Sequence, residues 1–442
     1  MSGKKIGLYT ATSIVIANMI GTGVFTSLGF QVAGIQTGFA IIMLWVLGGI
    51  AALTGALCYG EIGAMLPRSG GEYHYLSKIY HPAMGFVSGW VSATVGFAAP
   101  VALASFAFGE YLNNIVPGIN IEHTAAGIVA VISVIHCISL KAGSIFQNIS
   151  TSVKVSIILV IIIAGFVAGR KGDIGFRPSA QSWEDMSGAA FAVSFFFVSL
   201  AYSGWNAAGY IASEMHDVQK NLPRALLRGT IIVMVLYVLL NFIFMYTTPL
   251  AQMSTANGPV VDIAGVAAQN IFGQTGGQIM SGIISVLLLS TISAMVLAGP
   301  RVTHAMGEDY RVLSLFGRKN SAGLPVMAIL FQGAVALVFI YTATFNQVLT
   351  YISFTLNIFT FLTVLGLFIL RFREPGARRP FSTPLYPLVP LLFLLISGWL
   401  MYFGFKMKIE ESLWGLGTAL SGLLVYFIDK SIHRNQKNGT SA

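Results

Sequence analysis

Long apolar stretches alternate with short polar segments along the whole chain. Twelve of them are long enough to cross a hydrocarbon core about 30 Å thick at about 1.5 Å of rise per helical residue. The predicted helices cover residues 7–33, 37–66, 82–112, 124–140, 150–169, 187–211, 224–248, 275–303, 325–344, 346–370, 385–405 and 412–429. The pattern therefore predicts an all-α polytopic membrane protein of twelve transmembrane helices.

Two of these stretches contain glycine-rich breaks where a membrane helix is expected to be continuous. The first is IGTGVF at residues 20–25, and the second is YSGWN at residues 202–206. An unpaired backbone N–H or C=O costs several kcal/mol in hydrocarbon, so such breaks persist where they line a cavity. Interrupted segments at corresponding positions of two halves point to the binding site of a transporter. Ordinary glycine kinks at helix crossings are the alternative explanation.

The positions of the breaks divide the chain into two units of five helices. Each break falls in the first helix of its unit, and because five is odd the second unit enters the membrane from the opposite side. The predicted organisation is a tail over 1–6, repeats over 7–169 and 187–370, two added helices over 385–429 and a tail over 430–442.

Composition and charge agree with this topology. Hydrophobic residues make up 55% of the chain and charged residues 9%, well below the roughly 25% charge of soluble domains. With the N-terminus inside, nineteen of the 25 Lys and Arg residues fall in cytoplasmic segments and five outside. The positive-inside rule predicts cytoplasmic termini in the inner (plasma) membrane, and the net charge of +9 indicates topology rather than nucleic-acid binding.

The sequence lacks the motifs of soluble enzymes. HExxH, Walker, dinucleotide-binding and nucleophile-elbow patterns are missing, and the seven histidines are scattered. We therefore expect no enzymatic activity, no cofactor and no metal. Cys58 and Cys137 both lie in apolar stretches, which favours buried packing residues over a disulfide.

The two breaks offer opposite backbone groups to a ligand. A half-helix that begins near Thr22 exposes amides at the positive end of its dipole, which suits a carboxylate. A half-helix that ends near Tyr202 and Ser203 leaves carbonyls without intrahelical partners, which suits an ammonium group. Together they predict a site for the zwitterionic head of an α-amino acid.

Lys154 stands near the start of the fifth predicted helix, ahead of the apolar run 155–167. Its ammonium either extends to the cytoplasmic interface or lies among the helices. In the second case the facing hydroxyls are Ser290, Thr291 and Ser293, each of which has a bond within its own helix as the alternative. Proton coupling stays open, because a lysine shielded from water can bind and release a proton.

Several segments together resemble one transporter family, the amino acid–polyamine–organocation (APC) superfamily, and within it a bacterial member of the L-type amino acid transporter branch. The first break is similar to the Gly-Ser/Thr-Gly motif of the superfamily. The segments that resemble the L-type branch are YSGWN at 202–206 with Glu214, NLPRA at 221–225, GPR at 299–301, RPF at 379–381, Thr383-Pro384 and Tyr386-Pro387. The resemblance extends along nearly the whole chain.

The resemblance implies a LeuT-type fold, a 5+5 inverted repeat plus two C-terminal helices, that works by alternating access. It also implies that backbone groups of the two breaks hold the substrate. The implied contacts are Thr22, Gly23 and Val24 for the carboxylate, and the carbonyls of Met19, Leu200 and Ser203 for the amino group.

Other positions carry expectations from the same resemblance. Leu200 stands where the family often has a bulky aromatic outer gate, so Tyr202 or Phe197 is expected to take that place. Asn206 is expected to brace the unwound segment, with a helix cap as the alternative. Lys154 lies where sodium-coupled members of the fold hold a cation, so its fixed charge predicts sodium independence.

The expected function is sodium-independent exchange of neutral L-amino acids, with proton-coupled symport as the alternative. Neutral substrates are favoured because the sequence places no charged side chain in the pocket, and Glu61 is expected to reach interfacial water. A channel or an amino acid sensor on the same fold is a further alternative. Animal members of the branch pair with a glycoprotein through an outward-loop cysteine, and neither Cys58 nor Cys137 lies in such a loop, so no disulfide-linked subunit is expected.

Overall fold

Helices follow the apolar stretches of the sequence. The structure is a computed structural model that describes residues 5–138, 141–255 and 258–439. Ten of the described helical segments are long and apolar enough to cross a membrane, and eleven if the bent pair Ala180–Ser187 and Ala189–Ala201 is one span. Val326–Thr342 is apolar but shorter. The prediction of a polytopic helical membrane protein is confirmed.

The helices are numbered here in chain order. They are α1 Leu8–Met19, α2 Thr22–Val32, α3 Gly38–Met65, α4 Glu72–Ile79, α5 Pro82–Val91, α6 Ala98–Asn113, α7 Ile121–Ile138, α8 Lys141–Ala168, α9 Ala180–Ser187, α10 Ala189–Ala201, α11 Val218–Thr247, α12 Leu250–Met253, α13 Ile263–Asp309, α14 Val326–Thr342, α15 Phe345–Arg373, α16 Leu388–Met407 and α17 Ile409–Gly439. A π turn covers Ser92–Gly96, and 3₁₀ turns cover Ala207–Glu214 and Arg311–Leu313.

The first predicted helix is broken between α1 and α2. Ile20 has φ −74° and ψ 89°, and Gly21 has φ −128° and ψ −149°, so neither residue is helical. Helix α2 then begins at Thr22, where the sequence predicts a half-helix to begin. Its first amide groups are therefore free of intrahelical partners.

The sixth predicted helix is broken after α10, which ends at Ala201. Gly204 has φ +92°, a conformation that side chains other than glycine rarely adopt. A Cβ on Gly204 would lie 2.8 Å from the Asn18 carbonyl carbon, and one on Gly23 would lie 2.5 Å from the Ala201 Cα. The two breaks thus meet in the fold with their backbones in close contact.

The third span is interrupted by the π turn between α5 and α6. Pro100 lies in the first turn of α6, where a missing N–H costs the helix little. It also has no N–H to donate to the Gly96 carbonyl, four residues earlier. The carbonyl of the last π-turn residue is therefore left without its usual helical donor.

The eighth predicted helix, 275–303, begins just after a kink at Gly273 and ends six residues before the end of α13. Gly273 has φ +81° and ψ 178°, so α13, Ile263–Asp309, consists of two helical parts that meet at this non-helical residue. The all-α prediction also missed a two-stranded antiparallel pair, β1 Ser254–Thr255 and β2 Gly258–Pro259. Both differences lie in connecting regions, where apolar periodicity carries little information.

Glycines allow the helices to pack closely. Helix α3 packs on α10, α11 and α16, and a Cβ on Gly48 would lie 2.3 Å from the Val198 side chain of α10. A Cβ on Gly63 would lie 2.5 Å from the Leu222 side chain of α11. Close backbone approach of this kind stabilises helix contacts in lipid, where hydrophobic association between helices is weak.

Asp262 caps the N-terminus of α13 from a largely buried position. Its carboxylate accepts hydrogen bonds from the Gly265 N–H and the Ser281 hydroxyl, both at 2.6 Å, and from the Asn114 side chain at 2.5 Å. Burial raises the pKa of the Asp262 carboxyl to about 6 from an ordinary 3.8, although these hydrogen bonds act in the opposite direction. The folded protein therefore binds this proton more tightly than the unfolded chain.

Stability is expected to depend on pH through Asp262. Because folding raises this pKa, its contribution is largest below about pH 4 and falls as pH rises through about 6, by up to about 3 kcal/mol. Thermal unfolding in detergent across this range measures the effect. The Asp262→Asn variant should lose this part of the pH dependence, and an unchanged profile would contradict the assignment.

Candidate functional site

A cavity of about 700 Å³ runs from the second break and the last residues of α1 to one end of the helix bundle. Asn18 and Ser203 line its inner part. At its mouth it is lined by the exposed residues Glu214, Arg301 and Lys319. We call this end of the bundle the open end.

The predicted binding residues of the second break lie on the cavity wall. They are Leu200, Tyr202, Ser203 and Asn206. Those of the first break lie deeper: Met19, Gly23 and Val24 are buried, and Thr22 is half-buried. The structure therefore brings both predicted groups to one place, with the second break nearer to the cavity.

Tyr237, on α11, holds the end of the first half-helix. Its hydroxyl donates a 2.5 Å hydrogen bond to the Met19 carbonyl, one of the groups that the resemblance implies for the substrate amino group. Its ring packs edge-on against Trp45 at 5.6 Å between centroids. Sequence analysis missed Tyr237, which looks like an ordinary aromatic residue of an apolar helix.

Lys154 lies among the helices and does not extend to the interface. The residue is 1% exposed. Its ammonium donates hydrogen bonds to the Ile20 carbonyl at 3.0 Å and the Thr291 hydroxyl at 2.7 Å. It therefore joins the first break directly to α13, as one of the two sequence-based alternatives predicts.

The other hydroxyls of α13 differ in their surroundings. Ser290 is fully buried. The Ser293 hydroxyl lies 2.8 Å from Nε2 of His136, on α7, and so faces away from Lys154. His136 also lines the cavity, and its Nδ1 has no protein partner within the described residues. Of the three predicted hydroxyls, that of Thr291 is hydrogen-bonded to Lys154.

The two candidates for the outer gate have different surroundings. The Tyr202 hydroxyl donates to the Trp45 carbonyl at 3.0 Å, so this side chain is fixed against α3. Phe197 is stacked on Phe30 at 4.9 Å between centroids, and Phe30 is stacked on Phe345 at 5.8 Å. This aromatic stack joins α2, α10 and α15.

The expectation that Glu61 reaches interfacial water is wrong. Its side chain is fully buried and accepts two hydrogen bonds from Arg371, at 3.0 and 2.7 Å. Arg379 is 3.3 Å away, and the Thr383 N–H donates at 2.7 Å. The last turn of α15 supplies Arg371, and the linker that follows folds back to supply Arg379 and Thr383. A sequence position at the end of a helix does not reveal these partners.

Asn206 braces the break through a side-chain contact rather than a helix cap. The 3₁₀ turn that follows it has no side-chain cap. The Asn206 amide instead donates a 2.5 Å hydrogen bond to Glu72, a carboxylate on the cavity wall. The pocket thus contains a charged residue, contrary to the expectation that it has none, and sequence analysis missed it.

Comparison with known proteins agrees with this architecture. Residues 6–425 match the amino acid permease family. The chain is similar to the serine/threonine exchanger SteT of Bacillus subtilis, with 32% identity over 96% of each chain. It is also similar to the human b(0,+)-type amino acid transporter 1, with 30% identity over 96% of this chain and 88% of the relative. The mouse large neutral amino acids transporter small subunit 2 is 30% identical over 96% and 81%, respectively.

The matches cover the half-helices, the cavity wall and Lys154 alike. The two broken helices and the cavity between them are the parts expected of a membrane carrier. The relatives are named as transporters or exchangers. The chain therefore belongs to the amino acid permease family of the APC superfamily and is an amino acid transporter, not an enzyme.

Proposed function

We propose that the protein exchanges neutral L-amino acids across the cell membrane by alternating access, without sodium. The contact between the two breaks carries this proposal, because it puts the first amides of α2 close to the last carbonyls of α10. The names of the relatives support it: one is a serine/threonine exchanger and another a transporter of large neutral amino acids. We infer exchange by this chain from the functions that the relatives' names give and from the geometry of the site.

The substrate carboxylate is proposed to bind the N-terminus of α2, at Thr22, Gly23 and Val24. The amino group would bind carbonyls of Met19, Leu200 and Ser203. Tyr237 already occupies one lone pair of the Met19 carbonyl, and the Ser203 N–H one of the Leu200 carbonyl at 2.9 Å. A carbonyl oxygen has two lone pairs, so the Met19 carbonyl keeps one for the substrate. The Leu200 carbonyl also faces the Tyr202 N–H, so the substrate would share this oxygen with backbone donors.

Lys154 supports sodium independence. Its ammonium already places a positive charge between the Ile20 carbonyl and Thr291. A sodium ion at the same oxygens would be repelled by this charge at short distance. Proton-coupled symport is the second candidate, because the same lysine can bind and release a proton.

The carboxylate of Glu72 does not by itself argue for cationic substrates. It already accepts hydrogen bonds from Asn206 at 2.5 Å and from Tyr210 at 2.7 Å. At the mouth, Glu214 is paired with Arg301 at 3.7 Å. The oxygens of Glu72 are therefore already occupied by neutral hydrogen-bond donors, and Glu214 is paired with a cation.

We further propose the topology in which the open end faces the cytoplasm. The ten long segments, the bent pair α9–α10 and the shorter α14 together make twelve spans. The first ten of these twelve form a 5+5 inverted repeat over 7–169 and 187–370. The remaining helices cover 385–429, and both tails, 1–6 and 430–442, are cytoplasmic. The Phe30–Phe197–Phe345 stack, beyond the breaks as seen from the open end, is the proposed outer closure.

Purified protein in liposomes tests the proposal. With internal unlabelled L-serine and no sodium, uptake of tritiated L-serine is expected to be rapid, and much slower without internal substrate. A strict sodium requirement would contradict the role of Lys154. A panel of competing amino acids, with neutral side chains effective and charged ones weak, identifies the substrate class.

A pH gradient separates exchange from proton symport on the same liposomes. Exchange is expected to proceed at the same rate with and without the gradient. Accumulation of L-serine that needs the gradient and no internal substrate would instead establish symport. Empty liposomes give the background in both cases.

A further inference from the structure

Glu72 is a buried carboxylate that connects three separate parts of the chain. The residue, at the start of α4, is 5% exposed. It accepts hydrogen bonds from the hydroxyl of Tyr59, on α3, at 2.9 Å and from Asn206 at 2.5 Å. A third comes from the hydroxyl of Tyr210, in the 3₁₀ turn, at 2.7 Å. Helices α3 and α4 and the second break are therefore fixed to each other at one side chain.

The hydrogen bonds of Glu72 are expected to be strong, because their acceptor is a buried carboxylate. A carboxylate removed from water is costly unless its oxygens are hydrogen-bonded. Hydrogen bonds to a charged group are roughly twice as strong as those between neutral groups. Displacing Asn206 or Tyr210 would leave a buried charge short of partners, so both are held in place.

The connection reaches the substrate carbonyls through the backbone. Asn206 is three residues after Ser203, with Gly204 between them. Gly204 is packed so closely on Asn18 that a Cβ would lie 2.8 Å from its carbonyl carbon. A movement of Asn206 must therefore be transmitted to Ser203, because the segment between them has no free space on that side.

We propose that Glu72 is a positioning residue that holds the second break, through Asn206 and Tyr210, in the geometry that binds substrate from the open end. This proposal rests on the proposed function, since it concerns the affinity of the same site. Glu72, Asn206 and Tyr210 all line the cavity. Closing the open end must rearrange this wall of the cavity. Glu72 should therefore affect the affinity for substrate that enters from the open end and not from the other face of the membrane.

The test compares Glu72→Gln with the unchanged protein for transport from each face. Glutamine keeps the size of the side chain but removes its charge and turns an amide N–H₂ toward Tyr210. In inside-out and right-side-out vesicles, the KM for tritiated L-serine at the open-end face should rise about tenfold. The KM at the other face and kcat should change less than about twofold.

Glu61→Gln is the matched control. Glu61 is also a buried carboxylate, but its partners are Arg371, Arg379 and Thr383 rather than the second break. Any change in KM should therefore be equal at both faces. Asn206→Ala completes a double-mutant cycle: if Glu72 acts through Asn206, adding Glu72→Gln to it should change KM no further.

A labelling measurement reports the same geometry without transport. A Ser203→Cys variant should react with a water-soluble maleimide from the open end, and about tenfold more slowly in the Glu72→Gln background. Equal KM changes at both faces, additive effects in the cycle, or unchanged labelling would each overturn the positioning role. If the unchanged protein fails to exchange L-serine, the proposed function is contradicted, and the labelling rates still decide the role of Glu72.

Discussion

Replacing Lys154 with alanine is expected to reduce exchange about a hundredfold. The variant removes two charge-assisted hydrogen bonds, each worth about 1.5–3 kcal/mol, that connect the Ile20 carbonyl to Thr291. Without them the first break loses its hydrogen bonds to α13, so the movements of the two half-helices are coupled less tightly to that helix. Initial rates of L-serine exchange in liposomes measure the effect.

Lys430→Ala is the control for the Lys154 prediction. Lys430 is an exposed lysine on α17, so its removal should leave exchange unchanged. Size-exclusion chromatography of both variants separates lost function from lost folding. Exchange by Lys154→Ala at the rate of the unchanged protein would show that the contact is structural only.

Replacing Gly23 with valine is expected to abolish substrate binding. One reason is the bulk that valine adds where the backbone of Gly23 is proposed to approach the substrate carboxylate. The structure adds a second reason, because a Cβ on Gly23 would lie 2.5 Å from the Ala201 Cα. The two breaks must move apart, which separates the amides of one from the carbonyls of the other.

Binding measured by thermal stabilisation with L-serine tests the Gly23 prediction. The unchanged protein should be stabilised by the ligand, whereas Gly23→Val should not be. Gly127→Val is the matched control, since Gly127 is an exposed glycine of helix α7 whose Cβ would have no neighbour within 4 Å. A ligand response in Gly23→Val equal to that of the control would contradict the prediction.

The breaks could be predicted from sequence because their cause is local. Glycines at 21, 23 and 204 permit backbone that other residues avoid, so the start of α2 and the end of α10 follow from the residues themselves. Lys154 could also be identified as a candidate from the sequence, because a lone lysine in an apolar helix needs a partner for its charge. Whether its ammonium extends to the interface or bonds to Thr291 depends on how the helices pack, which the sequence alone does not show.

Other site residues could not be found from sequence, because their partners are distant. Tyr237 is 218 positions from Met19, and Glu72 is 134 positions from Asn206. Neither residue differs locally from an ordinary aromatic or a surface acid. The expectation for Glu61 was wrong for the same reason: Arg371, in the last turn of α15, and Arg379, after it, lie more than 300 positions later in the chain.

The π turn at Ser92–Gly96 restricts insertions and deletions in the third span. Such a turn holds one residue more than an α-helix of the same height, and one residue corresponds to about 100° of rotation. Before it, α5 turns Trp90 toward Ser421, with a 3.0 Å hydrogen bond, and after it α6 turns Tyr111 toward the Phe25 carbonyl at 2.9 Å. Losing a single residue here would rotate one of these faces away from its partner, so substitutions are tolerated in this span more readily than changes of length.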